Sequence, residues 1–368
     1  MKKRVAVLGA SGSIGRNTLD VIRANPRDFE PVLLSARAKA GRLRELGEEF
    51  PGAALCLAGD DPAGLLEAIG RAGADITVNG IAGAAGLAPS VAVLEAGSDL
   101  ALANKESVVM AGPLILDLAR KKGRRLIPVD SEHTAIFSLL QAHNREKAEE
   151  ILLTASGGPF RSYSWEQLGK VKAEDALSHP TWKMGPKITV DSASLANKGL
   201  EVIEAVQFFG FPPDKVAVVI HPQSVVHSMV RMRDGAVYAQ LSRPDMRLAI
   251  QEALYWPDMA PSPFGSLDFA GLSLEFEKPD GEKFPMLPLA YQAARAGGLY
   301  PCVYNGANEE AVAAFFSGEA AFLDIPLIVD YVLQGDWPGN PDMGAVLEAD
   351  RLSRERARLF IKTMRSKG

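Results

Sequence analysis

The chain has 368 residues, 47% hydrophobic and 23% charged, a globular balance that rules out disorder in a length too great for one simple core. A formal net charge of −5 supplies no basic field, so nucleic acid is not an expected partner. Only two cysteines are present, Cys56 and Cys302, which form neither a zinc spacing nor a disulfide framework, and no apolar run is long enough to span a membrane; a cytoplasmic protein is expected.

Lys2-Lys3-Arg4 leads into the apolar run Val5 to Leu8, which stops at a glycine and reads as a buried strand rather than a signal peptide. Ser13 to Ala24 has helical spacing and ends at Asn25-Pro26. Pro31 to Ser35, Leu55 to Ala58, Asp75 to Val78, Leu100 to Ala103 and Arg125 to Val129 are further short strands. Helical patterns lie between most of them, including Ala63 to Gly70, Ala85 to Ala96 and Val108 to Lys122. This alternation predicts an α/β fold with an N-terminal Rossmann-like, doubly wound parallel sheet. Beyond about residue 150, Ile151 to Ala155, Lys187 to Val190, Val216 to Ile220, Ser224 to Met232 and Ala236 to Leu241 read as strands. The last two flank Arg233-Asp234-Gly235, a hairpin signal. They predict a central α+β domain with a largely antiparallel sheet, one face under helices and the other free to bury against a second subunit. Trp256 to Pro288, rich in Pro and Gly, reads as a connection. Leu289 to Ala296, Ala307 to Phe316, Pro326 to Leu333 and Met343 to Met364 predict a small C-terminal helical domain.

Gly9-Ala10-Ser11-Gly12-Ser13-Ile14-Gly15 joins the first strand to the first helix with G-x-x-G-x-x-G spacing. Glycines let a backbone approach a pyrophosphate, and a helix N-terminus offers free N–H donors, although a tight turn that merely needs glycine would look the same. After the second strand stands Ser35-Ala36-Arg37-Ala38-Lys39 instead of an acidic residue. Arg37 could stack on adenine and pair with a 2′-phosphate, which favours NADPH over NADH.

Asp130-Ser131-Glu132-His133 follows the strand ending at Val129. If the chain stays extended there, Asp130 and Glu132 point the same way, at the strand end where α/β proteins place ligands, and two carboxylates together invite a hard cation. The alternative is a helix start, with Asp130 or Ser131 as cap. In Asp191 to Glu201, Asn197, Lys198 and Glu201 share one face if helical, and Glu201 could complete a three-carboxylate metal site. The competing reading is a surface Lys198–Glu201 pair. Ser156-Gly157-Gly158 suits a phosphate. His179-Pro180-Thr181-Trp182-Lys183-Met184-Gly185-Pro186 has the make-up of a lid, or else of a core-packing loop anchored by its Trp. Asn104-Lys105-Glu106 stands at another strand end, where Lys105 could polarise a carbonyl. His221 and His227 read as structural histidines of the middle sheet.

Together these segments resemble one family, the 1-deoxy-D-xylulose 5-phosphate reductoisomerases of the non-mevalonate isoprenoid route. The likeness runs through GASGSIG, NKES (Asn104 to Ser107), PVDSEH (Pro128 to His133), TASGGPF (Thr154 to Phe160) and HPTWKMG (His179 to Gly185). It continues in VDSASLANKGLEVIEA (Val190 to Ala205), HPQSVVHSMV (His221 to Val230) and NGANEEAVAAF (Asn305 to Phe315). It implies that Asp130, Glu132 and Glu201 bind one Mg²⁺, Mn²⁺ or Co²⁺. Ser156, Ser192 and Asn197 would hold the substrate mainly by its phosphate, with His179, while Lys198 takes its reacting hydroxyls and Lys105 and Ser131 its backbone. Ser11, Gly12, Ser13, Ile14, Ala36, Arg37, Asn104, Glu106 and Gly185 would line an NADPH site, and Trp182 and Met184 would form a flap. Lys105, Glu132 and Lys198 would be the catalytic residues. The implied reaction is a retro-aldol/aldol rearrangement followed by hydride reduction to 2-C-methyl-D-erythritol 4-phosphate, in a homodimer. The implied division is an NADPH-binding domain (1–125), a catalytic and dimerisation domain (126–255), a linker (256–288) and a helical domain (289–368). One departure is visible: Ala36-Arg37-Ala38 stands where the family pattern is Gly-basic-Asn, keeping the cation and lacking the Asn.

Overall fold

The structure, a computed structural model, describes residues 1–59, 61–176, 182 and 185–366. The chain forms two compact units: one of Met1–Ser107, Ile115–Thr134 and Asp245–Leu267, the other of Val108–Leu114, Ala135–Pro244 and Asp268 onward.

Strands β1 (Lys3–Leu8), β2 (Phe29–Ala36), β3 (Ala54–Leu57), β4 (Ile76–Asn79), β5 (Asp99–Leu102) and β6 (Leu126–Pro128) make the sheet of the first unit. Between them run α1 (Ser13–Ala24), α2 (Ala40–Glu49), α3 (Pro62–Ala72), α4 (Leu87–Glu95) and α5 (Lys105–Lys122). The order is β3-β2-β1-β4-β5-β6 and every pairing is parallel, the doubly wound arrangement expected. Val5 to Leu8 of the central strand are buried because helices cover both faces of such a sheet. The strand order reverses between β1 and β4, and ligands of open α/β sheets bind at that crevice; the glycine loop leaves β1 there. Along α1, Gly15, Thr18, Leu19 and Ile22 are buried at three- and four-residue steps.

Helix α6 (Ser131–His143) leads to strand β7 (Ala148–Ala155). After the short helices α7 (Trp165–Leu168) and α8 (Ala173–Ala176) come α9 (Pro186–Ala193) and α10 (Ala196–Phe209). Strands β8 (Val216–Ile220), β9 (Val226–Met232) and β10 (Val237–Leu241) join β7 in a second sheet of order β10-β9-β7-β8. Two of its pairings are antiparallel and one, β7 with β8, is parallel. The predicted hairpin is present, with Gly235 at φ +87° and Met232 N–H donating to Ala236 O at 2.8 Å.

Helix α11 (Met246–Tyr255) returns to the first unit, where the Tyr255 hydroxyl donates to Asp28 at 2.6 Å and Lys3 to Leu254 O at 2.6 Å. The connection beyond Trp256 makes one isolated bridge, Glu277 with Ile220, before α12 (Met286–Ala296), α13 (Tyr300–Phe316), α14 (Asp324–Leu333) and α15 (Met343–Arg365).

One element differs from expectation. Lys187 to Val190 is not a strand but the body of α9. Gly185 caps it with Pro186 at its first position, the Thr189 hydroxyl bonds back to Gly185 O at 2.8 Å, and Lys187 pairs with Asp191 at 2.8 Å. These local bonds outweigh the β-branched run Ile188-Thr189-Val190.

Candidate active site

The glycine loop is built for close backbone approach. Gly9 takes φ +80°, which suits a residue without a β-carbon, and its N–H is 3.2 Å from the Ser35 hydroxyl. A β-carbon on Gly15 would lie 2.4 Å from Gly9 O and from Ala10 Cα. Gly12 caps α1 with no side-chain bond, and the first turn carries no acidic residue. The positive end of the helix and its first N–H groups are therefore arranged for an anion, with Ser11, Ser13 and Ile14 half-buried beside them. Ala36 is buried at the end of β2, and the following Arg37 is exposed.

Asn104 caps α5: its side-chain oxygen accepts from Ser107 N–H at 3.1 Å, and its amide donates to Gly83 O and to Glu106, both at 2.9 Å. Lys105 and Glu106 are buried in the first turn. Lys105 Nζ lies 2.5 Å from Asp130 Oδ2. The chain is not extended past Val129, contrary to the premise that would align Asp130 with Glu132. Thr134 N–H bonds Asp130 O at 2.8 Å, Ser131 opens α6, and Glu132 stands in its first turn with the Ser131 hydroxyl donating to its carboxylate. The helix-start reading of the segment therefore holds, with α6 opening at Ser131. Burial pushes the Asp130 carboxyl up. The Lys105 charge and His133, whose Nδ1 is 3.6 Å from Asp130 Oδ1, outweigh burial and hold it well below its ordinary value. His133 was not singled out from sequence, although three residues after Asp130 on a helix is the spacing that brings it there.

In the second unit, Gly157 (φ +84°) and Gly158 (φ +70°) fold the Ser156 loop so that Gly158 N–H lies 3.3 Å from the Ser156 hydroxyl. A β-carbon on Gly158 would lie 2.6 Å from Ser192 O, so the loop packs directly on the end of α9 and brings the Ser156 and Ser192 segments together. On α10, the Asn197 amide donates to Glu201 Oε1 at 2.6 Å and Lys198 pairs with Glu201 Oε2. Lys198 and Glu201 are 3% and 1% exposed, which overturns the surface-pair reading: desolvated charges this close are held for a purpose or pay heavily. Trp182 stands 6.3 Å, ring to ring, from His227, whose Nε2 is 2.9 Å from the Ser242 hydroxyl. His221 is structural as expected: its Nε2 accepts from Val225 and Val226 N–H at 3.2 and 3.1 Å, which leaves the proton on Nδ1, donated to Glu275 O at 2.9 Å. Gly185 is exposed at the start of α9. His179 and Met184 lie outside the described residues.

A buried pair that no sequence pattern indicates joins Asp191 of α9 to Asn308 of α13 at 2.8 Å. Tyr304, on the same face of α13, has its hydroxyl 3.0 Å from Met286 O and 2.6 Å from where a β-carbon of Gly199 would be. Burial, then the Asp191 charge, raise its phenol well above the ordinary value.

Known proteins match this arrangement over almost its whole length. The family description "1-deoxy-D-xylulose 5-phosphate reductoisomerase" matches residues 5–68 and 56–112, and its C-terminal-domain descriptions match 126–209 and 241–356. The 1-deoxy-D-xylulose 5-phosphate reductoisomerase of Treponema denticola is 49% identical over 92% of each chain. The enzyme of that name from Zymomonas mobilis, solved in complex with NADPH, is 40% identical with a TM-score of 0.89 over 98% of this chain and 99% of that one. A DOX-P reductoisomerase in complex with NADPH, fosmidomycin and magnesium is 37% identical with a TM-score of 0.92, covering 99% of both chains.

Proposed function

The chain belongs to the 1-deoxy-D-xylulose 5-phosphate reductoisomerase family, and we propose that Asp130, Glu132, Glu201, Lys105 and Lys198 carry its reaction. It is an NADPH- and divalent-metal-dependent oxidoreductase that makes 2-C-methyl-D-erythritol 4-phosphate for isoprenoid precursor synthesis. The observation that carries the assignment is two carboxylates, half-buried Asp130 and buried Glu201, each held by a lysine that the family motifs also name. Three carboxylates are a hard-oxygen donor set, which suits Mg²⁺, Mn²⁺ or Co²⁺, and the glycine cradle that a β-carbon would fill suits a dinucleotide. The cation supplies Lewis acidity at the substrate ketone and its neighbouring hydroxyl, and NADPH supplies the hydride for the reduction that follows retro-aldol/aldol rearrangement.

The protein's own groups bind and orient. Lys198, fixed by Glu201, donates to the reacting hydroxyls, and Lys105, fixed by Asp130, meets the substrate backbone beside Ser131. Ser156, Ser192 and Asn197 hold the phosphate together with His179. Trp182 and Met184 exclude water as a flap. Ser11, Gly12, Ser13, Ile14, Ala36, Arg37, Asn104, Glu106 and Gly185 line the cofactor site. Residues 1–125 bind NADPH, 126–255 catalyse and dimerise, 256–288 link, and 289–368 form the helical domain. Homodimerisation is supported by the edge strand β10, which leaves Val237 and Tyr238 43% and 41% exposed. A cytoplasmic setting accords with the two unpaired cysteines, and no helix among the described residues is long and apolar enough to cross a membrane.

The test is to mix protein, Mg²⁺, NADPH and 1-deoxy-D-xylulose 5-phosphate and follow the reduced-cofactor absorbance. Oxidation that needs both metal and sugar phosphate is expected; none across metals and pH overturns the assignment. Glu201→Gln should lower turnover by at least about 100-fold while NADPH binding survives, and unchanged turnover removes Glu201 from the metal site.

A further inference from the structure

Asp191 has no role in the site as assigned above, yet it lies 1% exposed between residues that do. Both carboxylate oxygens are used: Oδ1 accepts from Asn308 Nδ2 at 2.8 Å and Oδ2 from Lys187 Nζ at 2.8 Å. Asn308 comes 117 residues later, on α13, and is completely buried. Its own side-chain oxygen has no hydrogen-bond partner among the described residues. A buried amide with an unsatisfied acceptor calls for an explanation, and among the described residues its donor meets Asp191.

What that bond holds is a corner. Ser192 follows Asp191, with Gly158 packed on its carbonyl. Ser194 bonds back to Asp191 O at 3.3 Å. Leu195 then takes the left-handed conformation, φ +61°, which a leucine adopts only where its surroundings impose it. Helix α10 starts immediately afterwards and presents Asn197, Lys198 and Glu201. From this geometry we propose that Asn308 and Asp191 form a clamp that sets the α9–α10 corner, and that both are positioning residues for the substrate's phosphate. The proposal rests on the assignment of Ser192 and Asn197 to that phosphate. Asn is the fitting residue at 308. Asp would place two carboxylates at hydrogen-bond distance in a buried site, and Gln would add a methylene to a packed one.

The test is a reciprocal exchange in the full chain. Asn308→Asp alone and Asp191→Asn alone should each raise KM for 1-deoxy-D-xylulose 5-phosphate about tenfold or more, with KM for NADPH within about twofold. The double variant restores one amide–carboxylate pair with Lys187 still served, and should recover KM to within about threefold of the parent. Thermal melting is followed in parallel. Singles that melt lower with unchanged substrate KM, or a double variant no better than the singles, overturn the clamp. Should Asn308→Asp not fold, Asn308→Ser shortens the side chain without adding charge and carries the same KM comparison. Ser192→Ala separates the two layers: unchanged substrate KM in that variant refutes the phosphate assignment itself, whatever the clamp variants do.

Discussion

Replacing Gly15 by Ala sets two known effects against each other at one position. Alanine is the better helix former by about 1 kcal/mol, and Gly15 is the third residue of α1. The new methyl group, however, would sit 2.4 Å from Gly9 O and Ala10 Cα and 2.6 Å from Ala10 C. All three are backbone atoms, so no side chain can swing aside, and the loop must retreat by more than half an ångström to bring any of them to an ordinary distance. Overpacking of this kind costs about 1–3 kcal/mol, which exceeds the propensity gain. The retreating segment is the one proposed to meet the pyrophosphate. A comparable loss in binding free energy therefore predicts NADPH affinity lower by roughly 10- to 100-fold. Gly70→Ala is the matched control: it also lies in a helix, α3, but a β-carbon there meets nothing within 4 Å. It should stabilise the protein by up to about 1 kcal/mol. Urea denaturation and NADPH fluorescence titration read both quantities. If Gly15→Ala is as well tolerated as Gly70→Ala in both, the close-approach reasoning is wrong.

Arg37→Ala should weaken NADPH much more than NADH, measured by the two dissociation constants; equal losses would take Arg37 away from the 2′-phosphate. In α15, Arg354 reaches Glu309 at 2.8 Å, Asp350 at 2.9 Å and Glu310 at 3.3 Å, with side chains 15–18% exposed. Burial pushes the Glu309 carboxyl up, but Lys187 and Arg354 outweigh it and hold it below its ordinary value. A depressed folded-state value means that Glu309 contributes stability above its unfolded value, about 4.3, and loses it as pH falls through the lower folded one. Arg354→Met should therefore destabilise by about 3 kcal/mol near neutrality, with the deficit shrinking towards pH 3 in a melting series. A deficit independent of pH would contradict this.

Where local chemistry decides the structure, the sequence is readable. Val5 to Leu8 before a glycine, the β8 run Val216 to Ile220 and the Arg233-Asp234-Gly235 turn all fold as their residues prescribe. The site motifs were legible for the same reason, because Asn197, Lys198 and Glu201 need only a helix to converge. Failures occur where partners are distant or cues conflict. Helix α11 has no strong signal of its own and is fixed by Tyr255 on Asp28, 227 residues away. In α9 a β-branched run is overruled by its proline start and its back-bonding threonine. Asp191 reads as one more acidic residue until Asn308 is seen against it.

The packing of α10 on α12 and α13 also sets an order in time. Gly199 is pressed against Ala290 and Tyr304, so the helix bearing Lys198 and Glu201 has its partners encoded about a hundred residues downstream. A ribosome adding about 5–20 residues per second needs roughly 5–20 s to pass from the end of α10 to the end of α13. During that interval a nascent chain carries an apolar helix, with two charges destined for burial, and lacks the α12 and α13 faces that cover it. The first unit waits as well, since α11, which joins it through Tyr255 on Asp28, is made more than a hundred residues after β6. Both units therefore close late in synthesis, each drawing on segments made more than a hundred residues after its first elements.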